Sequence, residues 1–375
     1  MQTVTKINEN RNDSLDKLYG RIKNLGREDY AIPANTLDVT PSANGGFEFN
    51  AYDQGRTFNW TPTDYAIGQL SDRLSKGLRS FGQELTDRGH NELRAETISR
   101  MLQLQPEDKK FQVRTIQPNG NRLARAVVSD RFKPIDDNLL IDPMLELICD
   151  RQKDWRSLGG QITDTHTRIR YITRDPQLTG MGPNNRDWHI GFQYHNSEVG
   201  ASRTGFSLFV FDSFCENGCV FGSKDLINVD FVHRGTKITS DFGLISDERI
   251  QQQELLMIQG EIANATKLVL DQDFTTKIRN IVATNEARKL EGDAGTKIEQ
   301  IKLLGSSVGL NKSENELLLS HWDSREENVF GVSHAITRLA QDKPDYESRI
   351  ALESAGGKLL EMPENKWKSI LALSN

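Results

Sequence analysis

The sequence predicts an α+β protein: a helical N-terminal section, a central antiparallel sheet with a basic β-hairpin, a long packing helix and a helical C-terminal region. Three observations predict it. Phe111 to Asp137 holds two runs of β-like composition around Pro118-Asn119-Gly120-Asn121, and Asn-Gly is a strong hairpin signal. Thr163–Thr173, Trp188–His195 and Gly205–Ser213 follow in succession with no helical pattern between them, which favours antiparallel pairing. From Gly292 onward the apolar residues recur at helical spacing.

Taken in order, residues 1–60 are polar and rich in Asn and Gly, and read as an arm with short irregular strands. Thr61 can cap a helix with Pro62 in its first turn, and Ile67, Leu70, Leu74, Leu78 and Phe81 form one apolar face. A second helix covers Glu92–Leu104, using Leu93, Ile98, Met101 and Leu102. After the hairpin a helix from Asp137 to Asp150 buries Leu140, Met144, Leu145 and Ile148. Leu158-Gly159-Gly160 is a break before the strands, and the long helix starts near Ser246-Asp247. Candidate C-terminal helices are 296–304, 314–322, 326–341 and 347–360. The domain boundaries follow: an arm at 1–60, an α+β core at 61–290 and a helical region at 291–375.

Charge narrows the function. The chain carries net charge -6, yet Lys110, Arg114, Arg122, Arg125, Arg131 and Lys133 face a single acid, Asp130, across the hairpin. A basic ribbon on an acidic protein suits a phosphate backbone. The competing reading is an edge hairpin whose cations discourage aggregation. Arg168 and Arg170 repeat the bias on the next strand, with ion pairing to Asp164, Asp175 and Asp187 as the alternative. Phe132 is a candidate stacking residue or a structural wedge beside Pro134. The nucleic-acid-binding candidates are therefore Arg114, Arg122, Arg125, Arg131, Lys133, Arg168, Arg170 and Phe132.

Other chemistries find little footing. Gly305–Ser313 and Gly292–Lys297 lack the spacing of a phosphate-cradling loop, so no ATPase is expected. Cys215-Glu216-Asn217-Gly218-Cys219 reads as a hairpin turn at Asn217-Gly218 with the cysteines facing each other, in preference to a metal pair. His189, Gln193 and His195 alternate on one strand face, read as a polar surface, wet or ligand-facing, with half-exposed sheet histidines preferred to acid–base ones, opposite Trp188, Ile190, Phe192 and Tyr194. A metal-dependent nuclease would draw on Asp130, Asp136, Asp137 and Asp142, but these flank a helix start that stabilises acids anyway. No catalytic residue, cofactor or metal is expected. The polar start MQTVTKINENRND and the three cysteines suit a cytoplasmic protein, with no run long enough for a membrane span.

Ala126–Asp136 (AVVSDRFKPID) resembles the signature of the family catalogued as domain of unknown function nine-three-two, found in phages and plasmids. Asn196–Gly200 and Cys215–Gly222 are similar to a second region of that family, and Trp322–Leu339 with Arg349 and Gly356-Gly357 to its C-terminal segment. The resemblance spans roughly residues 60–360. It carries no established activity. The strand pattern is also similar to phage single-strand annealing proteins of the RecT, Red-beta and Erf kind, an architectural analogy. It implies a non-enzymatic single-stranded DNA binder of phage or plasmid recombination or replication, assembled as a homo-oligomer without ATP. The alternative is an assembly component, a phage factor acting on a host protein with no nucleic-acid role.

Overall fold

The computed structural model describes residues 15–373 except 54, 118–121, 142–154, 182–185, 213–216, 221–227, 232–252, 254, 262–263, 265–266, 268–271 and 344–345. Its architecture is α+β, with the strands divided between two sheets. The first has six strands in the order β1-β5-β6-β4-β3-β2. These are β1 (Glu28–Pro33), β2 (Leu37–Pro41), β3 (Phe47–Asp53), β4 (Arg56–Pro62), β5 (Lys110–Ile116) and β6 (Leu123–Ser129). The hairpin is β5–β6, antiparallel from Phe111↔Ser129 to Ile116↔Leu123. Its turn, 118–121, lies outside the described residues.

Residues 28–62 do not stand apart as an arm: β1 pairs along β5, and Thr61 and Pro62 of β4 run parallel to Leu123 and Ala124 of β6. Local polarity hid these strands, because one face of β3 and β4 stays wet while Phe49, Ala51 and Trp60 are buried on the other. Since β4 continues through Pro62, the next helix starts two residues later than the Thr61 cap. Thr63 caps it, its Oγ accepting from Ala66 N at 3.2 Å.

Three helices follow: α2 (Asp64–Leu74), α3 (Leu78–Asp87) and α4 (Asn91–Gln103), after the short α1 (Leu15–Lys23). The single apolar face read from Ile67 to Phe81 is broken at Gly77, which adopts φ 88° between α2 and α3. Phe81 consequently lies half exposed, while Ile67, Leu70, Ala95, Ile98 and Leu102 pack on the sheet.

The second sheet has seven strands: β7 (Trp155–Ile162), β8 (Thr167–Thr173), β9 (Leu178–Met181), β10 (Arg186–Asn196), β11 (Thr204–Asp212), β12 (Asn217–Val220) and β13 (Asn228–Phe231). Its path is β12-β11-β10-β8-β7, with β9 on β10 and β13 on β11. The Leu158–Gly160 break is a bulge inside β7, between Ser157 and Gly159. Asn217-Gly218 is strand: Gly218 pairs with Phe211 and Cys219 with Val210, so Asn-Gly is not the turn. Cys215 lies outside the described residues.

Both faces of this sheet are covered. Trp188, Ile190, Phe192 and Tyr194 join a core with α1 and α5 (Gln272–Ala287). Residues 137–141 and 255–261 are helical and contribute Leu140, Ile141 and Ile258. The remainder of the helices expected at 137–150 and from residue 246 lies largely outside the described residues. The face read as wet is buried instead: His189 is 6% and Gln193 1% exposed. There the helix Tyr346–Leu360 brings Glu353 onto Arg170, whose Nε donates to Gln193.

The C-terminal region is helical: α6 (Ala294–Ser307), α7 (Lys312–His321), α8 (Val329–Gln341), α9 (Tyr346–Leu360) and α10 (Glu364–Leu373). α10 was not among the expected helices. Side-chain caps start three of them: Asp293 accepts from Thr296 N, Asn311 forms a capping box with Glu314, and Asn328 accepts from Gly331 N. Trp188 stacks on Phe330 at 5.2 Å, tying α8 to β10. Among the described residues no helix is long and apolar enough to cross a membrane.

Candidate functional site

The stretches Ala126–Asp136 and Asn196–Gly200 meet where the sheets join. At the end of β10 the chain runs Asn196-Ser197-Glu198, buried against the hairpin and the start of the 137–141 helix. Glu198 is 3% exposed and collects four donors. Oε2 accepts from Arg125 Nη1 at 2.6 Å; Oε1 accepts from Arg27 Nε at 2.9 Å and Nη2 at 2.6 Å, and from Asp137 N at 2.9 Å. Its backbone carbonyl accepts from Arg114. Arg114 is further held by Asp29 at 3.1 Å and Asp136 at 2.6 Å.

Asp137 forms the other half of this centre. Tyr194 Oη and Thr167 Oγ each donate to it at 2.6 Å, and Asn196 Nδ2 at 2.8 Å. Three guanidiniums (Arg27, Arg114, Arg125) thus gather with four carboxylates, Asp137 and Glu198 buried and Asp29 and Asp136 toward the rim. Burial raises the Glu198 carboxyl, but Arg125 and Arg27 more than reverse it and hold it at about 2. Burial and then the Glu198 charge push Asp137 up to about 6, against the bonds from Thr167, Tyr194 and Asn196. Burial opposes the charge on Arg114 as well, yet Asp136 and Asp29 raise its pKa. The surplus negative charge resides on the carboxyl that most readily takes a proton. Asp137 is 1% exposed and Tyr194 0%, so neither is open to a substrate. The cluster joins the sheets.

This corrects part of the phosphate-contact set. Arg114 and Arg125 are each 4% exposed and enclosed by carboxylates, and Arg170 is 6% exposed. Arg170 donates to Gln193 at 2.8 Å and Glu353 at 3.2 Å, and lies 5.1 Å over Phe209. A guanidinium so placed is a fixed internal charge, not part of a solvent-facing track. The anticipated ion-pair partners were near in sequence; the actual one is on α9. Phe132 is half-buried beneath Arg114, at 5.6 Å, and closes on Gly200. A Cβ at Gly200 would lie 2.9 Å from the Phe132 ring. The wedge reading of Phe132 is the one this packing fits.

Arg122 and Arg131 are exposed, and Lys133 and Arg168 are half-buried. Of the acids weighed for metal, Asp136 and Asp137 belong to the buried cluster, Asp130 is exposed and Asp142 lies outside the described residues. Among the described residues no group of three His, Cys, Asp or Glu side chains could hold a metal ion. His189 is buried, its Nδ1 2.8 Å from the Thr173 carbonyl, and burial lowers its pKa.

Sequence reasoning missed Arg27, Asp29, Tyr194 and Glu198 as one unit. The only pointer was that Val127–Asp136 and Asn196–Gly200 both belong to the resemblance. A scan against family models, a search of curated proteins and a search of solved structures each found no match.

Proposed function

We propose that the chain binds single-stranded nucleic acid without catalysing a reaction on it, in the manner of annealing proteins of phage or plasmid recombination and replication. The observation that supports this is the charge left facing solvent once the buried arginines are set aside. Lys110, Arg122 and Arg131 are exposed and Lys133 is half-buried, against Asp130. Lys110 and Arg131 stand at the open end of the hairpin and Arg122 beside its turn, seven β5 residues away. That separation is about 20 Å at about 3.3 Å per residue, enough to follow an extended strand. Fluorescence-anisotropy titration of a short oligothymidylate and of a duplex, in rising salt, tests it. Binding should fall steeply with salt and collapse in the R122E/R131E double variant. Binding absent at low salt, or indifferent to that reversal, would overturn it.

A second reading, an assembly component, draws on apolar side chains left in water: Phe81 on α3 is 50%, Leu93 on α4 49% and Leu104, just past α4, 81% exposed. Sedimentation separates the two. An oligomer that survives high salt and ignores the oligonucleotide favours assembly.

A further inference from the structure

The last turn of α2, the segment before β5 and the open end of the hairpin enclose a cleft of about 590 Å³. Its volume falls within the range of small-molecule sites, about 300–1,000 Å³. Three cations line it: Arg73, Lys109 and Lys110. Arg73 is half-buried and its Nε donates to the Val127 carbonyl at 2.6 Å, which fixes the guanidinium in the cleft wall. Its two terminal nitrogens meet no carboxylate among the described residues. Burial lowers its pKa, as for a cation lacking a counter-ion. Lys109 donates to Gln105 at 2.6 Å and lies 5.3 Å over the Phe111 ring, again without an acid among the described residues. Lys110 is exposed at the cleft mouth. Asp72 also lines the cleft and is paired with Arg79, at 3.1 Å.

From this geometry we infer that the cleft holds the phosphate of a nucleotide unit, with Arg73, Lys109 and Lys110 around the anion. Asp72, Asp108, Asp130 and Ser129 share the same cleft. Their oxygens disfavour a bare polyanion and suit a phosphate carried beside hydrogen-bond donors, as on a sugar and a base. The nucleotide belongs to a bound strand or is free. The inference rests on the proposed nucleic-acid binding only for that choice.

The test measures binding of a short oligothymidylate and of free thymidine monophosphate to native protein and to R73Q, K110Q and R73K. Melting curves of each variant accompany it. Strand binding that weakens about tenfold in R73Q and in K110Q, with the salt slope reduced by about 0.7 and partial rescue in R73K, supports the site with the strand as its source. Thymidine monophosphate binding that depends on Arg73, with no strand binding, supports the site and overturns the proposed function. Strand binding unchanged in both variants overturns the site and leaves the proposed function standing. Neither ligand bound overturns both. Should R73Q fail to fold, K110Q decides, because Lys110 is exposed and makes no bond the fold needs.

Discussion

Glu198 stands between Arg125 and Arg27, one carboxylate oxygen on each, 2.6 Å from both guanidiniums. Arg125 comes from the six-stranded sheet and Glu198 from the end of the seven-stranded one, so this pair fastens the two layers. Removing the acid takes from buried Arg125 and half-buried Arg27 the one carboxylate to which both are bonded. The E198Q variant should lose about 3–5 kcal/mol in urea unfolding. A triple replacement, E198L with R27M and R125M, should recover most of that loss, because no charge is then stranded. A loss under about 1 kcal/mol in E198Q would show the pair to be solvated.

Asp137 and Glu198 impose opposite pH dependences. Asp137 is raised from 3.8 to about 6, so its contribution is complete below pH 3.8 and is lost as pH rises through 6. Glu198 is lowered from 4.5 to about 2, so its contribution is complete above pH 4.5 and is lost as pH falls toward 2. The D137N variant removes only the first. Its stability relative to the native protein should climb between pH 4 and 7 by a few kcal/mol, at about 1.4 kcal/mol per pKa unit. Unfolding curves at several pH values read this directly; a constant difference would mean Asp137 titrates normally.

Gly200 holds φ +75° with Phe132 against its α-carbon. An alanine there meets backbone strain and the ring together, and G200A should cost about 1–3 kcal/mol. Pairing it with F132A should return the steric part and keep the backbone part. If G200A alone leaves the melting temperature unchanged, the contact between Phe132 and Gly200 does not constrain the fold.

Glu353 is fully buried on α9 and accepts from Arg170, with Arg349 at 3.3 Å on the same carboxylate. E353A strands Arg170 under the helix. The expected loss is about 3–5 kcal/mol, accompanied by faster amide exchange in β8 and β10. Unaltered exchange in those strands would place the pair outside the sheet's energetics.

What could be read in the sequence is what depends on near neighbours. The β5–β6 hairpin follows from Asn-Gly between β-like runs, α4 matches its apolar spacing within a residue, and α6 to α9 follow their helical period. The alternation of Trp188, Ile190, Phe192 and Tyr194 placed four aromatic and aliphatic side chains on one core face. The four strands of residues 28–62 were harder. Their pattern mixes wet and buried faces, and their sheet is completed by strands arriving from residues 110–129.

The sequence by itself determined that this is an α+β chain with a cationic hairpin and a helical C-terminal third. Only the tertiary structure decided which of the cations face water. Arg125 meets Glu198 from 73 residues away and Arg170 meets Glu353 from 183 residues away. A guanidinium reads the same in sequence whether it meets solvent, phosphate or a buried carboxylate. The difference lies in the partner, and at such separations only the packing of one sheet on another, or of α9 on β8 and β10, selects it. That packing divided the hairpin's arginines: Arg114 and Arg125 became internal counter-charges, while Arg122 and Arg131 remained at the surface.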